Sequence, residues 1–185
     1  MDPTTDVAFH LRKFLFEQLK AIDICLYLKL DMQAMQLVYS GIDIAGSLEA
    51  EDGKASRGSF IKWADSYMLR GMPAPFTAIE LYGARCGLLH TMTAESDLSR
   101  SKGVRMVLYA NEGADPEVLE ALIDSHDPEK YALTRTSELS NLFRAGLASY
   151  LDEVRANPDR VLTVNENAKT RFGFFAEDDI REMLA

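Results

Sequence analysis

Arg85 and His90 are the residues of this chain whose types and spacing could do chemistry. They stand on the apolar stretch Phe76-Thr-Ala-Ile-Glu-Leu-Tyr-Gly-Ala-Arg-Cys-Gly-Leu-Leu-His-Thr91. A guanidinium set among Leu81, Tyr82, Leu88 and Leu89 is costly to bury alone, so it needs a carboxylate, a carbonyl or a phosphate beside it. An imidazole titrates near neutral pH and can move protons. Five positions apart on a helix, the two lie about 140° apart around the axis, so they flank a groove and do not stack on one face.

Two sets of residues could serve this pair. Asp43 lies between Ile42 and Ile44 and can turn inward as the carboxylate for Arg85. Alternatively it joins Gln36, Ser40 and Ser47 on one solvated stripe. The polar segment Glu95-Ser-Asp-Leu-Ser-Arg-Ser-Lys-Gly103 follows the helix, which makes Ser96, Asp97, Ser99, Arg100 and Lys102 candidate ligand contacts beside it; a solvated connector is the other reading.

The elements that position these residues read mainly as helices. A first helix runs from Thr4 to about Leu28, capped by Thr5 or Asp6, with Val7, Leu11, Phe14, Leu15, Ile22 and Leu26 on its buried face. Phe9, Phe16 and Cys25 widen its apolar stripe beyond what one neighbour needs, so it is either central or at a subunit contact. Asp31 caps a second helix, about Met32 to Ala50, with Met35, Val38, Tyr39, Ile42 and Ala45 facing inward. The short connector implies that the two are antiparallel neighbours. Ser59 caps a third helix to about Leu69, whose Phe60, Trp63, Ala64, Tyr67 and Met68 form an aromatic core stripe.

Thr77, with Glu80 three positions on, makes a capping box for the Arg85/His90 helix. Gly83 and Gly87 each cost about 1 kcal/mol in a helix interior, so another backbone should approach them closely. That backbone belongs either to this chain or to a second copy across a two-fold axis.

Beyond Gly103, Val104 to Tyr109 reads as a strand and Asp115-Pro116 opens a short helix to about Asp124. Tyr131 to Arg135 reads as a second strand pairing with the first. A long helix from Ser137 to about Ala156 buries Leu139, Leu142, Phe143, Leu147, Tyr150, Leu151 and Val154, and Asn157-Pro158 ends it. In the tail, Phe172-Gly-Phe-Phe175 must bury on this core or on a partner, and Glu177 to Leu184 could add a last helical turn or two. The expected fold is mainly α: an antiparallel helical bundle with a small two-stranded β appendage in the C-terminal half. One domain spans 1–185, residues 1–100 forming four bundle helices and 101–185 the strand pair and long helix packed on them.

Composition narrows the function classes. The chain has 185 residues, is 47% hydrophobic and 26% charged, and carries a net charge of −9. That acidic balance argues against broad electrostatic binding of nucleic acid, so an RNA site would need a local cationic cluster. No 18-residue apolar run suggests a membrane span, and the N-terminal residues lack the pattern of a secretion signal, so a cytoplasmic location is expected. Cys25 and Cys86 sit in apolar helical settings, as expected of reduced core residues. No glycine-rich phosphate loop, nucleophile elbow or zinc spacing occurs, and His10, His90 and His126 form no recognisable metal set; no metal or cofactor is expected.

Arg85-Cys-Gly-Leu-Leu-His90 resembles the Arg-x4–6-His signature of the HEPN superfamily, helical-bundle proteins of prokaryotic toxin, defence and nucleotide-linked systems. The signature covers six residues, and the likeness in bundle character covers roughly the first 100. The resemblance implies a homodimer through the Arg85/His90 helix and RNA, a nucleotide or a protein as partner. In its catalytic form it implies a metal-independent ribonuclease, with Arg85 holding the phosphate and His90 moving the proton. Two positions depart from the pattern: Cys86 stands where a polar residue commonly follows the arginine, and Met92 where a tyrosine follows the histidine in members with nucleotidyltransferase antitoxins. With the acidic surface, Cys86 favours a non-catalytic binding module over the ribonuclease. A helical protein whose Arg85 and His90 serve only internal contacts is the remaining reading.

Overall fold

A computed structural model describes residues 9–101, 103–125, 129–169 and Arg181. The expected caps Thr5 and Asp6, Val7, the ligand candidate Lys102, His126, the phenylalanine-rich segment at 172–175 and most of the closing turn lie outside the described residues, as do the side chains of Phe9 and His10.

Eight helices and two strands follow in order among the described residues: α1 (Phe9–Tyr27), α2 (Asp31–Leu48), α3 (Arg57–Trp63), α4 (Ala78–Thr91), α5 (Asp97–Ser101), β1 (Met106–Ala110), α6 (Pro116–Ser125), β2 (Tyr131–Arg135), α7 (Thr136–Arg155) and α8 (Pro158–Lys169). The centre is α2. Ala34, Met35, Val38, Tyr39, Ile42, Ala45 and Leu48 are all buried along it, and α1, α3, α4, α7 and α8 pack against it. The wide apolar stripe of α1 is only half used. Leu11, Leu15 and Ile22 are buried, whereas Phe16, Ile24 and Tyr27 are exposed, Tyr27 to 86%.

Local chemistry moves several expected boundaries. Asp31 does not cap α2. It is the first helical residue, and its carboxylate accepts from the Thr136 hydroxyl at 2.8 Å, tying the starts of α2 and α7 together. Ser59 does not open α3 either. Ser56 is the cap, and Ser59 completes a capping box from the third helical position, its hydroxyl accepting from the Ser56 amide at 2.9 Å. After Trp63 the helix widens into one π turn, Ala64–Met68, closed by the Leu69 amide to the Ala64 carbonyl at 2.9 Å. The aromatic stripe is core as expected: Trp63 packs on Phe143 and edge-on to Tyr150, each with ring centroids 6.0 Å apart.

The strands pair in parallel, Met106 opposite Tyr131 and Ala110 opposite Arg135. Parallel neighbours need a crossover, and α6 supplies it. Val107 and Ala132 join the main core, and the Tyr109 hydroxyl hydrogen-bonds that of Tyr39, which fastens β1 to α2.

Beyond α7 stands α8, a helix not expected from the sequence. Asn157-Pro158 ends α7 but also starts another helix. The Asn157 side chain accepts from the amides of Asp159 at 3.1 Å and Arg160 at 3.3 Å, and Pro158 takes the first helical position, where its missing N–H costs nothing. Val161, Val164 and Ala168 are buried. Asn167 donates to the carbonyls of Leu48 and Ala50, both at 3.0 Å, and so secures the end of α2.

Candidate functional site

The helix carrying Arg85 and His90 is anchored first at its N-terminus. Thr77 accepts from the Glu80 amide at 3.4 Å, and Glu80 accepts from the Thr77 amide at 2.8 Å, the capping box read from the sequence. Arg105, just ahead of β1, donates to both Glu80 oxygens at 2.7 and 3.1 Å and to the Pro75 carbonyl at 2.8 Å. Burial alone would raise the Glu80 carboxyl, but the bonds from Arg105 and Thr77 outweigh it and hold it below its ordinary value.

Leu81, Ala84 and Leu88 are buried on the inner face of α4. Arg85 leans from this face toward α2, where its Nε and Nη2 donate to one oxygen of Asp43 at 2.8 and 2.7 Å. Asp43 has turned inward between its two isoleucines. The pair is half-buried, with 21% of the Arg85 side chain and 14% of the Asp43 side chain exposed. Burial pushes the Asp43 carboxyl above its ordinary value, and the hydrogen bond and charge of Arg85 oppose this without overcoming it. Burial also works against the Arg85 charge. Hydrogen bonding and charge attraction from Asp43 prevail, and Arg85 titrates above its ordinary range.

The outer guanidinium nitrogen, Nη1, stands 3.2 Å from His90 Nε2. A guanidinium is always a donor, so the imidazole accepts here and carries its proton on Nδ1. His90 itself is exposed. Thus Asp43, Arg85 and His90 are brought together in one line from the core to the surface. Tyr82 stands beside them, with the Arg85 guanidinium carbon 5.9 Å from its ring centroid. Burial raises the Tyr82 hydroxyl, and the neighbouring Cys86 side chain adds to the shift. Cys86 and Cys25 are both free thiols.

Gly87 is explained within this chain, whereas Gly83 meets only side chains at ordinary contact distance. A Cβ on Gly87 would lie 2.5 Å from the Thr93 carbonyl oxygen and 2.8 Å from that of Glu95. On Gly83 it would meet Ser96 Oγ at 3.4 Å. The backbone that approaches α4 is therefore its own following loop, turned back by Met92 in the left-handed conformation (φ 54°).

That loop is more ordered than a solvated connector. Ser96 is buried and shares a reciprocal pair of bonds with Ser99, at 2.9 and 3.3 Å, that starts α5. Arg100 spends its charge on Glu95 at 3.1 Å and Asp97 at 2.5 Å. Ser96 and Arg100 thus serve the loop's own structure, and among the described residues no hydrogen bond or ion pair joins them to Arg85 or His90. What the sequence did not single out is Arg57. Its guanidinium carbon lies 6.0 Å from the same Tyr82 ring.

Among the described residues no three His, Cys, Asp or Glu side chains gather as a metal site, and no helix is long and apolar enough to cross a membrane. Comparison with known proteins returns no matching family model, no similar curated sequence and no similar solved structure.

Proposed function

We propose that this chain is a HEPN-like helical module of a prokaryotic defence or toxin–antitoxin setting, binding the phosphate of a nucleotide or RNA without cleaving it. One observation carries the reading. Asp43 takes Nε and Nη2 of Arg85 on the inner side, while Nη1 and the exposed His90 remain at the surface edge of α4. An anion arriving there meets a guanidinium whose plane is already fixed and, beside it, an imidazole that can donate from Nδ1.

The same contact speaks for binding over catalysis. The His90 nitrogen that would take a proton is engaged by Arg85, and a general base has to be free to accept. The ribonuclease reading keeps one support, the direct contact of Arg85 with His90. It also calls for a homodimer through α4, which would set two such pairs together.

The test is a thermal-shift and calorimetric titration with AMP and a short single-stranded RNA, beside a cleavage assay without added metal. The expected result is saturable binding that Arg85→Ala abolishes and His90→Ala weakens about tenfold, with no cleavage. Cleavage lost in His90→Ala would instead establish the ribonuclease. Absence of any binding or cleavage would leave Arg85 and His90 with internal roles only, or point to a protein partner.

A further inference from the structure

The geometry points to Arg57 as a second anion-binding residue of this site, and to a ligand that carries two neighbouring phosphate groups. This rests on the Arg85/His90 reading and says which phosphate ligand the site selects. Arg57, at the start of α3, and Arg85, on α4, both stand against the Tyr82 ring, their guanidinium carbons 6.0 and 5.9 Å from its centroid. Phe60 meets the same ring edge-on at 5.4 Å and fixes it between the helices. The two cations are therefore separated by no more than the breadth of one aromatic ring and its contacts.

Their hydrogen-bonding states differ. Arg85 is matched by Asp43, and elsewhere arginines meet carboxylates: Arg70 with Glu153, Arg105 with Glu80, Arg144 with Asp23, Arg160 with Glu49. Against Arg57 no carboxylate stands among the described residues. Its contact is with the face of an aromatic ring, which uses none of its N–H donors. In a chain of net charge −9, an arginine with no acidic neighbour among the described residues, sharing an aromatic ring with a second arginine, is a local cationic spot.

A single phosphate at Arg85 and His90 is opposed by the nearby Asp43 carboxylate. A second phosphate reaching past Tyr82 escapes that repulsion and finds the uncompensated charge of Arg57. Consecutive phosphates of an RNA strand and the diphosphate of a nucleotide share this chemistry.

The experiment is calorimetric titration of the full chain and its variants with AMP, ADP and a four-nucleotide single-stranded RNA. The wild type should bind ADP or the RNA five- to tenfold more tightly than AMP. Arg57→Ala should remove that advantage, lowering ADP or RNA affinity more than AMP affinity, and Arg57→Lys should restore part of it. Whichever of ADP and the RNA loses affinity in Arg57→Ala identifies the source of the phosphates. If AMP binds through Arg85 but Arg57→Ala alters neither ADP nor RNA binding, the assignment of Arg57 falls and the Arg85/His90 site stands. No saturable binding of any of the three removes both. Circular dichroism of Arg57→Ala, matched to the wild type, separates loss of contact from loss of fold.

Discussion

Two arginine–carboxylate pairs hold α4, and they work in opposite ways. At its N-terminus Glu80 receives from Arg105 and from the Thr77 amide, and these donors together drive its carboxyl below the ordinary value. In its middle Asp43 receives Arg85 alone, through one oxygen, and burial drives its carboxyl up. What separates them is how many donors meet the buried charge. Glu80 is matched and structural. Asp43 is under-matched, and its arginine is shared outward with His90.

The largest effect expected from this contrast is on stability at the Glu80 end. Glu80→Ala removes a cap and strands Arg105, and should cost about 3 kcal/mol in urea unfolding. A loss below about 1 kcal/mol would erase the distinction. Arg85→Ala should cost about 2 kcal/mol, because a half-buried Asp43 loses its partner. The sharper comparison replaces both members. Asp43→Leu with Arg85→Met should unfold within about 1 kcal/mol of the wild type, since a buried ion pair adds little over apolar packing. Glu80→Leu with Arg105→Met should stay about 1–2 kcal/mol down, because the capping bond is lost whatever replaces the pair.

The smallest effect is on pH dependence, and the signs are opposed. The depressed Glu80 carboxyl contributes stability that is present above the ordinary carboxylate range and lost as pH falls through it. Asp43, raised in the folded state, binds its proton more tightly folded than unfolded, so its contribution is largest in acid and fades as pH rises through its folded value. Unfolding free energies between about pH 3 and 6 should therefore change less steeply in Glu80→Gln and more steeply in Asp43→Asn. Parallel shifts in both variants would contradict the assignment.

Much of this arrangement was legible in the residues. The Thr77/Glu80 box and the strand Tyr131–Arg135 follow from short-range chemistry. The residues around Asp43 allowed either an inward turn or a solvated stripe, and its bond to Arg85 decides for the first. Long-range choices were less visible. Proline after asparagine stops one helix and starts the next with the same two residues, so α8 was hidden in a stop signal. The twenty residues between the strands suited a crossover, a length better matched to parallel than hairpin pairing. Ser56 and Ser59 both suit a cap, and only the third-position bond decides between them. Arg57 belongs to no spacing pattern with Arg85. A shared aromatic neighbour, contributed by α4, relates them.

One detail of α4 bears on how its exposed edge would take a ligand. Met92 closes the helix in a left-handed conformation that costs a residue with a Cβ about 1–2 kcal/mol, and the chain then doubles back until Thr93 and Glu95 rest on Gly87. His90 thus rides on the final turn, the part of α4 that fraying would reach first, while Arg85 stays fastened to α2. Anything that bridged the two would be clasping a helix end shut, and part of its binding energy would go into that closure.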